Sequence, residues 1–134
     1  KSILIFVPSI EIAISLSKKI PKSEVVHSKI DKEDRVRIVT GFKNLEISVV
    51  INVEILTTGF DHPRLDAIVL VRPTASIALY YQILGRATRI HPLKKNAKII
   101  DLSGNVSKFG KIEDLNYDYI EGFGWGLFNK EVLL

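Results

Sequence analysis

The 134-residue chain contains no cysteine and no methionine. Without cysteine there is no disulfide, no thiolate ligand and no thiol nucleophile, which fits a cytoplasmic protein. Methionine is missing even at position 1, where Lys1 stands, so a piece of a longer protein is expected. No run of about 18 apolar residues occurs, so no membrane span is expected. The opening KSILIFV reads as a strand, with no secretory cleavage site. His27, His62 and His91 lie too far apart in sequence for metal-ligand spacing, and no metal site is expected. G-x-S-x-G is absent, which argues against a serine hydrolase. The phosphate-cradling pattern G-x-x-x-x-G-K-[ST] is absent, and so is any Asp-Glu-x-Asp/His. Acids are missing too, over the whole stretch between Asp66 and Asp101.

What is present is a chain 46% hydrophobic, enough for one ordinary domain with a real core. Residues 1–110 carry 17 basic and 10 acidic side chains, and residues 111–134 carry 2 and 5. A basic body suits a polyanionic partner, and equally a solvated lysine surface. ILIFV (3–7) reads as a strand buried on both faces. Ser9 caps a helix reaching Ile20, and Val25–Val26 form a second strand. Asp31 caps a helix ending near Asn44, with Val36, Val39 and Phe42 as its apolar face. ISVVI (47–51), AIVLV (67–71) and AKIIDL (97–102) read as further strands, with a loop over Asn52–Arg64 and a helix over Ser76–Thr88. Apolar strands alternating with helices predict an α/β fold with a mostly parallel sheet. Residues 103–134 lose this rhythm, and the run GFGWGLF has no predicted place.

On the helix from Ser76, Gln82, Arg86 and Arg89 recur at i, i+4 and i+7, which predicts one polar face. Two guanidinium forks and an amide there suit phosphoryl oxygens; basic residues in a last turn also complement the helix dipole. Gly85, beside the stripe, costs about 1 kcal/mol against alanine and predicts a close approach. In the loop TTGFDHP (57–63), Thr57 and Thr58 offer hydroxyls to a sugar-phosphate chain. Gly59 allows a close backbone approach, and Asp61 is placed to accept from a ribose hydroxyl or to cap its own turn. Tyr80, Tyr81, Phe123, Trp125 and Phe128 serve either packing or base stacking.

Taken together, IFVPS (5–9), INVEILTTGFDHP (51–63) and QILGRATR (82–89) resemble motifs IV, V and VI of superfamily 2 helicases, the last with the pattern Q-x-x-G-R-x-x-R. HSKIDKEDRVRIVTGFK (27–43) is similar to the segment between motifs IV and V, with Arg35 and Phe42 in place. VEILTTGFDHPRLDAIVLVRPTAS, then IIDLSGNVSKFG with Gly104–Asn105, resembles the RadD-like branch of the DEAD/DEAH-box helicases; type I and III restriction translocases are near it.

The resemblance implies a RecA-like three-layer C-terminal lobe over residues 1–110, with 111–134 as an extension. It implies ATP with Mg2+, held mainly by an absent first lobe of the same protein. Arg86 and Arg89 would face the γ-phosphate and Gln82 would order that interface. Asp61 and Gly59 would bind the nucleotide. Ser9, Arg35, Thr57 and Thr58 would contact the nucleic-acid backbone. Gln82 stands where RNA-dedicated DEAD-box relatives carry His, which favours DNA, with DNA repair as a setting. Asn52–Val53–Glu54 departs from the Ala-Thr-Asp of many relatives. The alternatives are a non-catalytic docking lobe, a restriction translocase lobe and a nucleotide-sugar transferase lobe.

Overall fold

The computed structural model describes residues 1–53, 62, 64–74, 76–130, 132 and 133. Five strands, β1 (Ile3–Phe6), β2 (Ser23–Val26), β3 (Val49–Asn52), β4 (Ala67–Leu70) and β5 (Lys98–Asp101), form one sheet in the order β2-β3-β1-β4-β5. Every pairing is parallel, with Ile3 facing Val49 on one side and Ala67 on the other. Central β1 and β3 are almost wholly buried, which is why both read as unbroken apolar runs. Edge strand β5 alternates exposed and half-buried residues.

Among the described residues, four helices connect or follow these strands: α1 (Ile10–Ser17), α2 (Lys32–Lys43), α3 (Ile77–Ala87) and α4 (Asn105–Phe109). Each of the first three starts at a side-chain cap, Ser9 and Asp31 as predicted, and Ser76 where the helix was expected to begin. Ser9 Oγ accepts from Ile12 N at 3.3 Å, Asp31 Oδ1 from Asp34 N at 2.7 Å, and Ser76 Oγ from Leu79 N at 3.2 Å. The two sheet faces carry separate cores. Ile5, Val7, Val49 and Ile51 pack with Ala13 of α1. Leu4, Phe6, Val50, Ile68 and Leu70 pack with α2, α3 and Phe109 of α4.

Three expectations are corrected. α1 ends at Ser17 rather than Ile20. Val36 is 57% exposed, because α2 turns Ile38, Gly41 and Phe42 inward instead. Gly41 belongs to that face because a Cβ there would come within 2.9 Å of Ile47 Cδ1. The stretch beyond residue 103 is also regular. After α4 and a short 3-10 turn (Ile112–Asp114), β6 (Leu115–Ile120), β7 (Gly124–Asn129) and β8 (Val132–Leu133) make a separate antiparallel sheet. GFGWGLF therefore supplies the β6–β7 turn and most of β7.

Candidate functional site

A parallel sheet has a carboxyl edge, where all its strands end, and an amino edge, where they begin. α3 leaves the carboxyl edge after β4 and returns to the amino edge before β5. The predicted site residues therefore divide between opposite edges. Ser9 follows β1 and Arg35 sits in the first turn after β2, both at the carboxyl edge. Gln82 and Arg86 lie in the second half of α3, running toward the amino edge.

At the carboxyl edge, β1 leads to a helix on one face and β4 to a helix on the other. The gap between their ends is the topological switch point, the usual ligand crevice of open α/β sheets. Ser9 caps α1, which occupies its oxygen as an acceptor but leaves its O–H a donor, the polarity a phosphate oxygen needs. Arg35 and Arg37 of α2 differ sharply. Arg37 is exposed and bridges Glu24 and Asp34, each at 3.3 Å; these two acids raise its pKa above the usual arginine value. Arg35 is half-buried on the side of Ile38 and Phe42, and its Nε is buried without a hydrogen-bond partner. A buried donor without a partner is uncommon and points to a ligand or water.

Across the crevice, Asn105, only 2% exposed, accepts from Thr74 N at 2.9 Å. Its amide donates to Arg72 O at 3.0 Å and Ser103 Oγ at 2.8 Å. Asp101 braces this knot. Burial favours its neutral form, but the amides of Val106 and Ser103, the Ser103 hydroxyl and Asn105 outweigh that and hold its carboxyl below the usual range. Sequence reading missed these roles, although an Asp-x-Ser-Gly-Asn run after a strand is the composition that builds side-chain-to-backbone turns.

At the amino edge, α3 stops at Ala87 with Thr88 as its C-cap, so Arg89 lies beyond the helix rather than on its face. The three-residue stripe is thus two helical residues and one in the exit. Gln82 and Arg89 are exposed and Arg86 is half-buried. The last carbonyls of α3 go elsewhere: Thr88 Oγ1 donates to Gly85 O at 3.1 Å and Lys94 Nζ to Ala87 O at 2.8 Å. Burial lowers the Lys94 pKa, with Asp66 opposing. Gly85 does not meet the expected close approach within the chain, since a Cβ there would touch nothing within 4 Å. Arg64, Asp66, His91 and Lys94 line a shallow cleft of about 80 Å3 along this edge. His62 is no loose loop residue: it is buried, its Nε2 3.0 Å from Ser2 Oγ and its ring tilted 46° against that of Phe42 with centroids 4.7 Å apart. Thr57, Thr58, Gly59 and Asp61 lie outside the described residues. Among the described residues no group of His, Asp or Glu is placed to hold a metal ion.

The family model "Helicase conserved C-terminal domain" matches residues 1–91. IRC3 of Saccharomyces cerevisiae, whose name describes an ATP-dependent helicase, is 40% identical over 85 residues, 63% of this chain and 12% of its own. A 51.5 kDa protein of a Lactococcus phage is 32% identical over 129 residues, 91% of this chain and 28% of its own. Both relatives are thus several times longer than this chain. Among solved structures, Saccharomyces cerevisiae Dbp5 bound to RNA and ADP BeF3 superposes with a TM-score of 0.64 at 24% identity, covering 75% of this chain and 27% of that one. That likeness establishes the RecA-like lobe fold.

Proposed function

The chain belongs to the helicase conserved C-terminal domain family of superfamily 2, and from that premise we propose that it is the second motor lobe of a nucleic-acid-dependent ATPase. The observation that carries this reading is the split of the candidate residues between two edges. Gln82, Arg86 and Arg89 gather at the amino-edge end of α3, while Ser9 and Arg35 stand at the carboxyl edge. A motor lobe needs two such faces, one toward nucleotide and one toward the track.

At the nucleotide face, Arg86 and Arg89 would meet the γ-phosphate of ATP seated on another lobe. Guanidinium donors fit a phosphoryl group, and this chain's own sequence has no phosphate loop to seat one. When bound, Mg-ATP supplies the phosphoanhydride to be hydrolysed, with the metal held by that other lobe. Arginines at a transferring phosphoryl group stabilise its charge and contribute ~10³–10⁵ in rate. Gln82 would order the two arginines, while Gly59 and Asp61 would border the ribose. At the track face, the Ser9 hydroxyl and Arg35, with Thr57 and Thr58, would hold backbone phosphates without reading bases. The names of IRC3 and of the Dbp5 complex carry ATP-dependent helicase activity and RNA binding for those proteins. Gln82 favours DNA here.

The test is ATP turnover by the full-length protein with and without single-stranded DNA, in wild type and in Arg89→Ala. DNA-stimulated turnover, with at least ~10³ lost in Arg89→Ala while ATP still binds, is expected. Turnover at wild-type rate in Arg89→Ala would remove the arginine from catalysis and leave a docking lobe.

A further inference from the structure

The helix that carries Gln82 and Arg86 is held at two points by one short segment, residues 101–110. At its entrance, Asn105 grips the lead-in, accepting from Thr74 N and donating to Arg72 O. Along its middle, Tyr80 and Tyr81 donate their hydroxyls to Gly110 O at 2.8 Å and Phe109 O at 2.9 Å. These carbonyls lie at the end of α4, where a helix leaves its last acceptors open. The Phe109 ring packs 5.2 Å from that of Tyr80. The outer sheet holds the segment from the far side. A Cβ on Gly110 would overlap the Asn129 side chain, whose amide donates to Lys111 O at 2.9 Å.

We infer that residues 101–110 are a bracket that sets the angle of α3, and that Tyr81 is a positioning residue for Arg86 and Arg89. The inference rests on the nucleotide-facing reading of those arginines. Tyr81 precedes Arg86 by five positions, about 7.5 Å along the helix axis. A tilt of roughly 8° pivoting at Tyr81 would carry Arg86 about 1 Å sideways, and an error of ~1 Å at reacting groups costs up to about 10²-fold in rate. The hydroxyl is the informative atom. Its removal keeps the half-buried ring in place and deletes one tether to the bracket.

The test uses the full-length protein and its DNA-stimulated ATP turnover. Tyr81→Phe is expected to lower kcat about 10-fold with KM for ATP within about twofold, since geometry at the transition state is lost and ground-state binding is not. The double variant Tyr81→Phe with Arg86→Ala is expected to turn over no more slowly than Arg86→Ala alone, because the tyrosine acts through the arginine helix. Wild-type kcat in Tyr81→Phe, or a loss that multiplies with that of Arg86→Ala, would overturn the bracket while sparing the arginine reading. Wild-type turnover in Arg86→Ala would instead overturn the arginine reading, and the bracket with it.

Discussion

Tyr80, which the sequence leaves open to either packing or base stacking, is core in the fold and does more there than fill space. Its ring is fully buried among Ile83, Leu84 and Phe109, as a helix-face aromatic should be. Its hydroxyl nevertheless reaches Gly110 O. Burial, helped by the charges of Tyr81 and Asp101, raises its pKa from 10.0 to about 12. The folded value lies above the unfolded one, so the neutral phenol stabilises the fold fully below about pH 10 and that contribution is lost as pH rises through about 12. Thermal melts at pH 8 and pH 11 should therefore show a larger drop in Tm for wild type than for Tyr80→Phe. Equal drops would mean that the phenol ionises as freely in the fold as outside it. The tyrosine was visible in the sequence, but its acceptor, a backbone carbonyl 30 positions away, was not. Contacts of that kind depend on where the chain returns, which no local pattern carries.

Among elements, legibility follows periodicity. β1 and β3 announced themselves because a strand covered on both faces has no polar positions to spare. The caps Ser9 and Asp31 were legible for a similarly local reason, each bonding an amide three residues on. The inner face of α2 was read one step off. At about 100° per residue, Val36 points roughly 120° away from Phe42, whereas Arg35 lies about 20° from it. The same geometry that exposes Val36 half-buries Arg35. The β6–β7 hairpin was missed because glycine is depleted in strands, yet Gly124 and Gly126 both stand in β7. The signal was the neighbouring turn, where Gly122 and Gly124 take positive φ and Phe123 between them is 90% exposed.

Gly85 belongs to this scale as well. It sits inside α3 with open space around it, so Gly85→Ala should stabilise the chain by up to about 1 kcal/mol. A glycine that weakens its helix without serving this chain's packing leaves room for something outside the chain. In the full-length protein the same substitution should then lower turnover. A Tm that falls in the chain alone would show that Gly85 is needed by this fold itself.

For the molecule as a whole, the division of charge matters more than the net of +4. The basic excess lies in residues 1–110, which hold both candidate edges, while residues 111–134 carry 2 basic and 5 acidic side chains. Nucleic acid should therefore meet the parallel-sheet body rather than the outer sheet. The family assignment covers most of that body, residues 1–91, and the segments resembling motifs IV, V and VI lie within it, while IIDLSGNVSKFG lies beyond. The outer sheet was legible in neither composition nor motif, and its connection to α3 through Gly110 emerged only from the packing. If Arg35 and its neighbours grip phosphates and read no bases, binding of single-stranded DNA to the chain should be weak and independent of sequence. With two or three phosphates neutralised, affinity should fall roughly 7- to 18-fold between about 50 and 200 mM salt. Fluorescence anisotropy with a homopolymer and a mixed-sequence oligonucleotide, each titrated at both salt concentrations, measures this. Arg35→Ala should flatten the salt slope by about one phosphate for both oligonucleotides alike. An unchanged slope would mean that the buried Nε serves the fold alone. A loss confined to one sequence would mean that this edge reads bases, and the track would then be a specific site rather than a backbone.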